Sequence, residues 1–110
     1  MRMSNSAVVT RNITWSGLAH SEPYEAGWAG EAVIFVRALK PGIGGAGIAH
    51  VEMSADGMNW AREGTSFPLP TSENEVTFGR VSHFGNWLRI AAEFPEGASL
   101  TVLVTLHFKS

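Results

Sequence analysis

Ser99-Leu100-Thr101-Val102-Leu103-Val104-Thr105-Leu106-His107-Phe108-Lys109 is the stretch that decides the fold. In an extended chain Leu100, Val102, Val104, Leu106 and Phe108 share one face, while Thr101, Leu103, Thr105, His107 and Lys109 share the other. That period of two belongs to a strand with one side buried. The same alternation runs through 87–94, where Leu88, Ile90, Ala92 and Phe94 oppose Trp87, Arg89, Ala91 and Glu93. In 48–54, Ala49, Val51 and Met53 oppose Ile48, His50, Glu52 and Ser54. Nine valines, five isoleucines and seven threonines supply the β-branched side chains that pleated surfaces favour. No segment shows an apolar stripe at helical spacing with caps at its ends.

Turn chemistry separates these runs. Pro41-Gly42 opens a loop through Gly44, Gly45 and Gly47, and Pro95-Glu96-Gly97 leads into the last strand. Asp56-Gly57 is a hairpin pair, since glycine adopts positive φ at no steric cost and aspartate tolerates it. Phe67-Pro68-Leu69-Pro70 lacks two amide donors and is excluded from a central strand. Strands are therefore expected over 6–15, 31–40, 48–54, 59–65, 75–84, 86–94 and 99–109, with a bulge at Gly79. The fold class is all-β: a two-sheet antiparallel β-sandwich of about seven strands, with a jelly-roll connection as one possible topology.

The chain has 110 residues, no cysteine and a net charge of −2. Its mass of 11.8 kDa is that of one domain, spanning 1–110, that buries roughly 65% of its surface on folding. Without cysteine there is no disulfide scaffold and no thiolate zinc site. Arg11, Arg37, Arg62, Arg80 and Arg89 are dispersed through different strands among acidic residues, which argues against nucleic acid as a partner. A net negative charge likewise offers nothing to an anionic membrane. The first twenty residues hold only Ala7-Val8-Val9 as an apolar run, too short for a signal peptide, and nothing approaches the ~20 apolar residues of a membrane span. The protein is accordingly expected in the cytoplasm or assembled there into a particle. Asn12-Ile13-Thr14 then matches a glycosylation acceptor by chance.

Val51-Glu52-Met53-Ser54-Ala55-Asp56-Gly57-Met58-Asn59-Trp60 resembles the V-E-x-S-x-D-G-x-x-W strand–turn–strand of β-sandwich modules. These include discoidin-like and other carbohydrate-binding domains and structural or adhesive phage proteins. The resemblance spans about ten of the 110 residues. Trp87-Leu88-Arg89-Ile90 is similar to the strand that often follows in the same modules. What the resemblance implies is a hairpin whose tryptophan returns to cover the core, and by analogy a glycan as ligand. Trp15, Trp60 and Trp87 are expected to fill the ends of the sandwich, each lying at or in a strand. Tyr24 and Trp28 lie in the segment 16–30, long for a loop in a small β domain and so a place where function concentrates. A glycan site would use Tyr24, Trp28, Asp56, Asn59 and Trp60, whose flat rings suit sugar faces.

Catalysis is not expected. His20, His50, His83 and His107 lie on separate segments, and a metal needs three or four converging donors, so no metal or other cofactor is assigned. Asp56, Glu52, Glu63 and His83 are the acid–base groups available, and Asp56 is accounted for by its turn. No nucleophile elbow occurs, and Pro41–Gly47 lacks the lysine and following helix of a phosphate loop.

One feature exceeds what a solitary sandwich needs. In 31–40, Ala32, Ile34, Val36 and Ala38 form one face, yet Val33, Phe35 and Leu39 make the other apolar too. A solvated outer face should alternate with polar residues. Ile48 and Leu103 add to the excess. Burying three such side chains is worth on the order of 5–8 kcal/mol. Either the segment 16–30 folds over that face or a second subunit does, and the paucity of lysine (two in the chain) favours the subunit. The expected function is therefore self-association: a non-catalytic building block of a ring, shell, fibre or phage-like particle, with Val33, Phe35, Leu39, Ile48 and Leu103 at the interface. A carbohydrate-binding module is the alternative.

Overall fold

The structure, a computed structural model, describes residues 4–110. Nine strands follow in chain order: β1 (Ser4–Ser16), β2 (Leu18–His20), β3 (Tyr24–Glu25), β4 (Glu31–Ala38), β5 (Ile48–Ser54), β6 (Ala61–Pro68), β7 (Val76–Ser82), β8 (Trp87–Glu93) and β9 (Ser99–Lys109). They form two sheets, ordered β1-β9-β4-β7 and β2-β8-β5-β6, with β3 also paired to β8. Every pairing is antiparallel. With β2 and β3 taken as halves of one interrupted strand, this is the order of an eight-stranded jelly roll. The all-β sandwich expected from the sequence is the fold observed, with two more strands than the seven counted.

The core forms where the two alternations meet. Leu100, Val102, Val104, Leu106 and Phe108 point inward from β9 beside Ala32, Ile34, Val36 and Ala38 of β4. Ala49, Val51, Leu88, Ile90 and Ala92 face them from the other sheet, and all are at most 2% exposed. Pro68 is tolerated at the end of β6 because β6 is an edge strand.

Two expectations need correction. The segment 16–30 is no free loop: β2 and β3 extend the five-stranded sheet along β8. Ser21, fully buried, bridges the break between them; its N–H donates to Ile90 O and its Oγ accepts from Ile90 N–H, both at 2.9 Å. Gly79 marks no bulge, because β7 pairs with β4 without interruption from Val76 to Ser82. Its missing side chain makes room for Phe67, whose ring carbon would lie 2.6 Å from a Cβ there. The register shifts fall instead in β1, between Val8 and Thr10 and between Arg11 and Ile13, and where β5 pairs β6 between His50 and Glu52.

Candidate interaction surface

The two outer faces of the sandwich are built differently. On the five-stranded sheet, register sets Arg89 opposite Glu52 and His50 opposite Ala91, with Glu93 one row on. Arg89 Nε lies 2.6 Å from Glu52 Oε1, Arg62 pairs with Glu93, and His50 Nε2 lies 3.7 Å from the same carboxylate. Trp60 covers Arg89, the guanidinium 4.3 Å from its ring centroid. The arginines there are answered by neighbouring carboxylates, as on a solvated surface.

On the four-stranded sheet the odd-numbered residues of β4 and β9 face outward, and pairing places them in rows. One row is Arg80, Val33, His107 and Ser6; the next is Phe78, Phe35, Thr105 and Val8; the third is Val76, Arg37, Leu103 and Arg11. The middle row is an apolar belt in which the Phe35 and Phe78 rings meet at 6.1 Å and 42°. Val8, Val76 and Phe78 remain 45%, 48% and 46% exposed. Val33, Phe35 and Leu103 are half-buried by these neighbours. Arginines flank the belt. Arg80 lies 5.0 Å over the Phe78 ring, and Arg37 Nη2 donates to Asn74 Oδ1 at 2.6 Å. Arg11, Arg37 and Arg80 make no ion pair among the described residues, whereas Arg62 and Arg89 on the other sheet both do. An open groove of about 570 Å³ continues the Val33 end of the face, lined by Glu31, Arg80, His107 and Lys109 of this sheet and by Glu63 of the opposite one.

Sequence reasoning brought only part of this surface together. Val33, Phe35 and Leu103 share it. Leu39, half-buried one residue past β4, is fixed by its N–H to Thr101 O at 2.9 Å. Ile48, 49% exposed, lies on β5 in the other sheet and cannot belong to the same patch. Val8, Val76 and Phe78 were missed; their alternation is visible in the sequence, but the strands that join them into one belt are not neighbours in the chain. Nor does the segment 16–30 cover this face, since β2 and β3 belong to the opposite sheet.

The five residues named for glycan binding come from two segments at one end of the sandwich, β3 with the stretch after it and the turn between β5 and β6, joined through Asn86. Asn86 O accepts Ala26 N–H at 2.7 Å, and Asn86 Nδ2 donates to Ala55 O at 3.4 Å. Their side chains are engaged within the fold. Tyr24 stacks on Phe108 (5.2 Å, 19°) and Trp28 meets the same ring edge-on (5.9 Å, 61°). Trp60 does not return to the core as expected but lies outside over Arg89, while Trp15, 3% exposed, is a core residue. Trp87 sits half-buried under the hairpin turn, close enough that a Cβ at Gly57 would lie 3.1 Å from its ring.

Asp56 closes that turn. Its carboxylate accepts the N–H groups of Met58 and Asn59, the Asn59 amide and the Ser54 hydroxyl, each at 2.9 Å. These bonds, the Asn59 backbone N–H foremost, hold its carboxyl far below the usual carboxylate range. The backbone N–H groups of Thr71 and Ser72 lower Glu75 in the same way. A depressed folded-state value stabilises the fold above the unfolded value of about 4 and loses that effect as pH falls below it. Thermal midpoints should therefore decline below about pH 4. Asp56→Ala should lower the midpoint at neutral pH and flatten the acid slope, so that the two curves converge; circular dichroism melts at stepped pH check this, and parallel curves would contradict it.

Among the described residues no group of three or more His, Asp or Glu side chains is placed to hold a metal ion. Glu52 is ion-paired, Asp56 belongs to its turn, and Glu63 Oε1 accepts Thr65 N–H at 3.0 Å. Among the described residues no helix is long and apolar enough to cross a membrane.

No family model matches the chain, and no curated protein matches it. Solved structures do. PBSX exported protein XepA superposes with a TM-score of 0.67 at 10% identity, over 94% of this chain and 36% of that one. SPBc2 prophage-derived protein YomS gives 0.65 at 10% identity, over 100% and 96%. A structure described as "Bacillus endospore appendages form a novel family of disulfide-linked pili" gives 0.52 at 11%, over 97% and 87%. This chain shares their fold. It spans about a third of the first and nearly the whole of the second, and identities this low speak for the fold alone.

Proposed function

We propose that the protein is a non-catalytic building block that self-associates through the outer face of its four-stranded sheet, as a unit of a ring, shell, fibre or phage-like particle. One observation carries this: the contrast between the outer faces. On one, both arginines, Arg62 and Arg89, are paired with carboxylates. The other presents Val8, Phe35, Phe78 and Val76 to solvent with Arg11, Arg37 and Arg80 making no ion pair among the described residues and Glu31 at the end of the face. A contiguous exposed apolar patch on a sheet invites a partner. Removing the three side chains that are nearly half exposed from water would stabilise a contact by about 5 kcal/mol at ordinary transfer values. The likeness to prophage-derived and pilus structures supports the reading as analogy of fold.

The size of the face also bears on the assembly. Four strands at ~4.8 Å spacing and seven residues at ~3.4 Å rise span about 450 Å². A stable interface buries about 800 Å² per partner. An assembly built on this face therefore gains from a second surface on each subunit, and repeated contacts in a closed ring reinforce one another. Light scattering across the micromolar range should return masses above 11.8 kDa that rise with concentration. A monomer mass throughout would overturn the proposal.

A further inference from the structure

Resting on that self-association, we infer that the arginine-flanked face docks on the β2–β3 edge of a second copy, so that subunits join head to tail and not face to face. The charge distribution disfavours the symmetric alternative. A two-fold contact would gather six guanidiniums, Arg11, Arg37 and Arg80 from each copy, into one interface as the belt loses its water, with Glu31 of β4 at the end of the face. Like charges brought together at a desolvating contact oppose association. The face needs a partner surface that is apolar and acidic.

The chain carries such a surface. Between Arg11 and Glu31, the first residue of β4, there is no lysine or arginine, but there are two glutamates, Glu22 and Glu25. This segment contains β2 and β3, which pair only with β8 and form the outer edge of the five-stranded sheet. Leu18 on that edge is 84% exposed, and Trp28 beyond it is 43% exposed. Glu22 and Glu25 stand exposed between them, without an ion pair among the described residues. The remaining acids are less suited. Glu52 and Glu93 are paired to arginines, Asp56 and Glu75 are held by turns, Glu63 accepts Thr65 N–H, Glu31 lies on the arginine-bearing sheet itself, and Glu73 and Glu96 sit singly in separate turns. A surface of leucine, tryptophan and two carboxylates thus complements one of phenylalanine, valine and three guanidiniums. Because the two surfaces lie on different sides of the sandwich, each copy offers one and receives the other, the arrangement that closes into rings or propagates as filaments.

The test uses two variants with complementary defects. Phe35→Glu spoils the face and leaves the edge; Glu22→Lys with Glu25→Lys spoils the edge and leaves the face. All three sites are on the surface, and unchanged near-ultraviolet dichroism confirms the fold of each variant. Each variant alone should sediment as a monomer where the wild type assembles, its self-association weakened at least tenfold. An equimolar mixture should give a one-to-one dimer and nothing larger, because only one sound junction can form. Raising salt should weaken wild-type assembly. If the glutamate variant assembles like the wild type, or the mixture stays monomeric, the head-to-tail contact is wrong while self-association stands. If the wild type is itself a monomer, the proposal beneath it fails as well.

Discussion

Phe108→Ala should lower the stability of this protein by about 3–5 kcal/mol, the range for truncating a buried aromatic residue. Phe108 is fully buried and lies at the end of the longest inward-facing run, opposite Ala32. It is also the base on which Tyr24 stacks and against which Trp28 packs. Its removal leaves a cavity and unseats the segment that links β3 to β4. β3 itself is held by two residue pairs with β8 and by the Ala26 N–H bond to Asn86 O beside them. In a domain of this size, with a total stability of about 5–15 kcal/mol, the thermal midpoint should fall by more than about 10 °C. Tryptophan fluorescence should report looser packing around Trp28. Phe35→Ala provides the internal comparison: the same truncation on the outer face should cost far less. Equal losses at the two positions would mean that the assignment of inner and outer faces is wrong.

Phe35→Glu should do the reverse, sparing the fold and abolishing assembly. In the isolated subunit Phe35 is half-buried in the belt beside Phe78, so the monomer accommodates a carboxylate at modest cost, about 1 kcal/mol on strand-propensity grounds. In an assembled interface the same carboxylate would lose its water. Burying an uncompensated charge costs several kcal/mol, enough to weaken association more than a hundredfold. Sedimentation or light scattering should show a monomer whose thermal midpoint falls by no more than about 8 °C. Glutamate placed at Ser66, on the outer face of the other sheet, should leave assembly intact. Loss of assembly in the Ser66 variant, or its persistence in the Phe35 variant, would move the interface elsewhere.

Much of this molecule is legible in its alternation, and what is not depends on register. Leu100 to Phe108 and Leu88 to Ala92 declare their inner faces because every second residue is apolar. The excess on 31–40 is equally plain, since Val33 and Phe35 break the rule for a solvated face. That Val8 and Phe78 extend it is hidden: β1, β4, β7 and β9 are far apart in the chain, and only their pairing makes one belt. Ile48 shows the converse. Its outward direction follows from Ala49 and Val51, but its sheet does not, and it belongs to the opposite face. Trp60 was misjudged for a related reason. Pairing of Met53 with Ala61 places Trp60 in the outward phase, a consequence of turn geometry and not of the residue's size. The pieces β2 and β3 are too short to show a period, and Ser21 holds the break between them by a hydrogen bond that no composition announces. Gly79 reads as a bulge along its own strand and as a seat for Phe67 only once the second sheet lies beneath it.

Because the chain has no cysteine, a single introduced thiol can report directly on the outer face of the four-stranded sheet. Val8→Cys places one in the belt and Ser66→Cys places one on the opposite face, both exposed in the isolated subunit. Their rates of modification by a thiol reagent, under reducing conditions and as a function of protein concentration, measure which face becomes covered. The thiol at position 8 should slow at least tenfold as concentration rises through the range of assembly, while the thiol at 66 keeps its rate. Constant labelling at position 8 at every concentration, in a protein that otherwise assembles, would contradict the account.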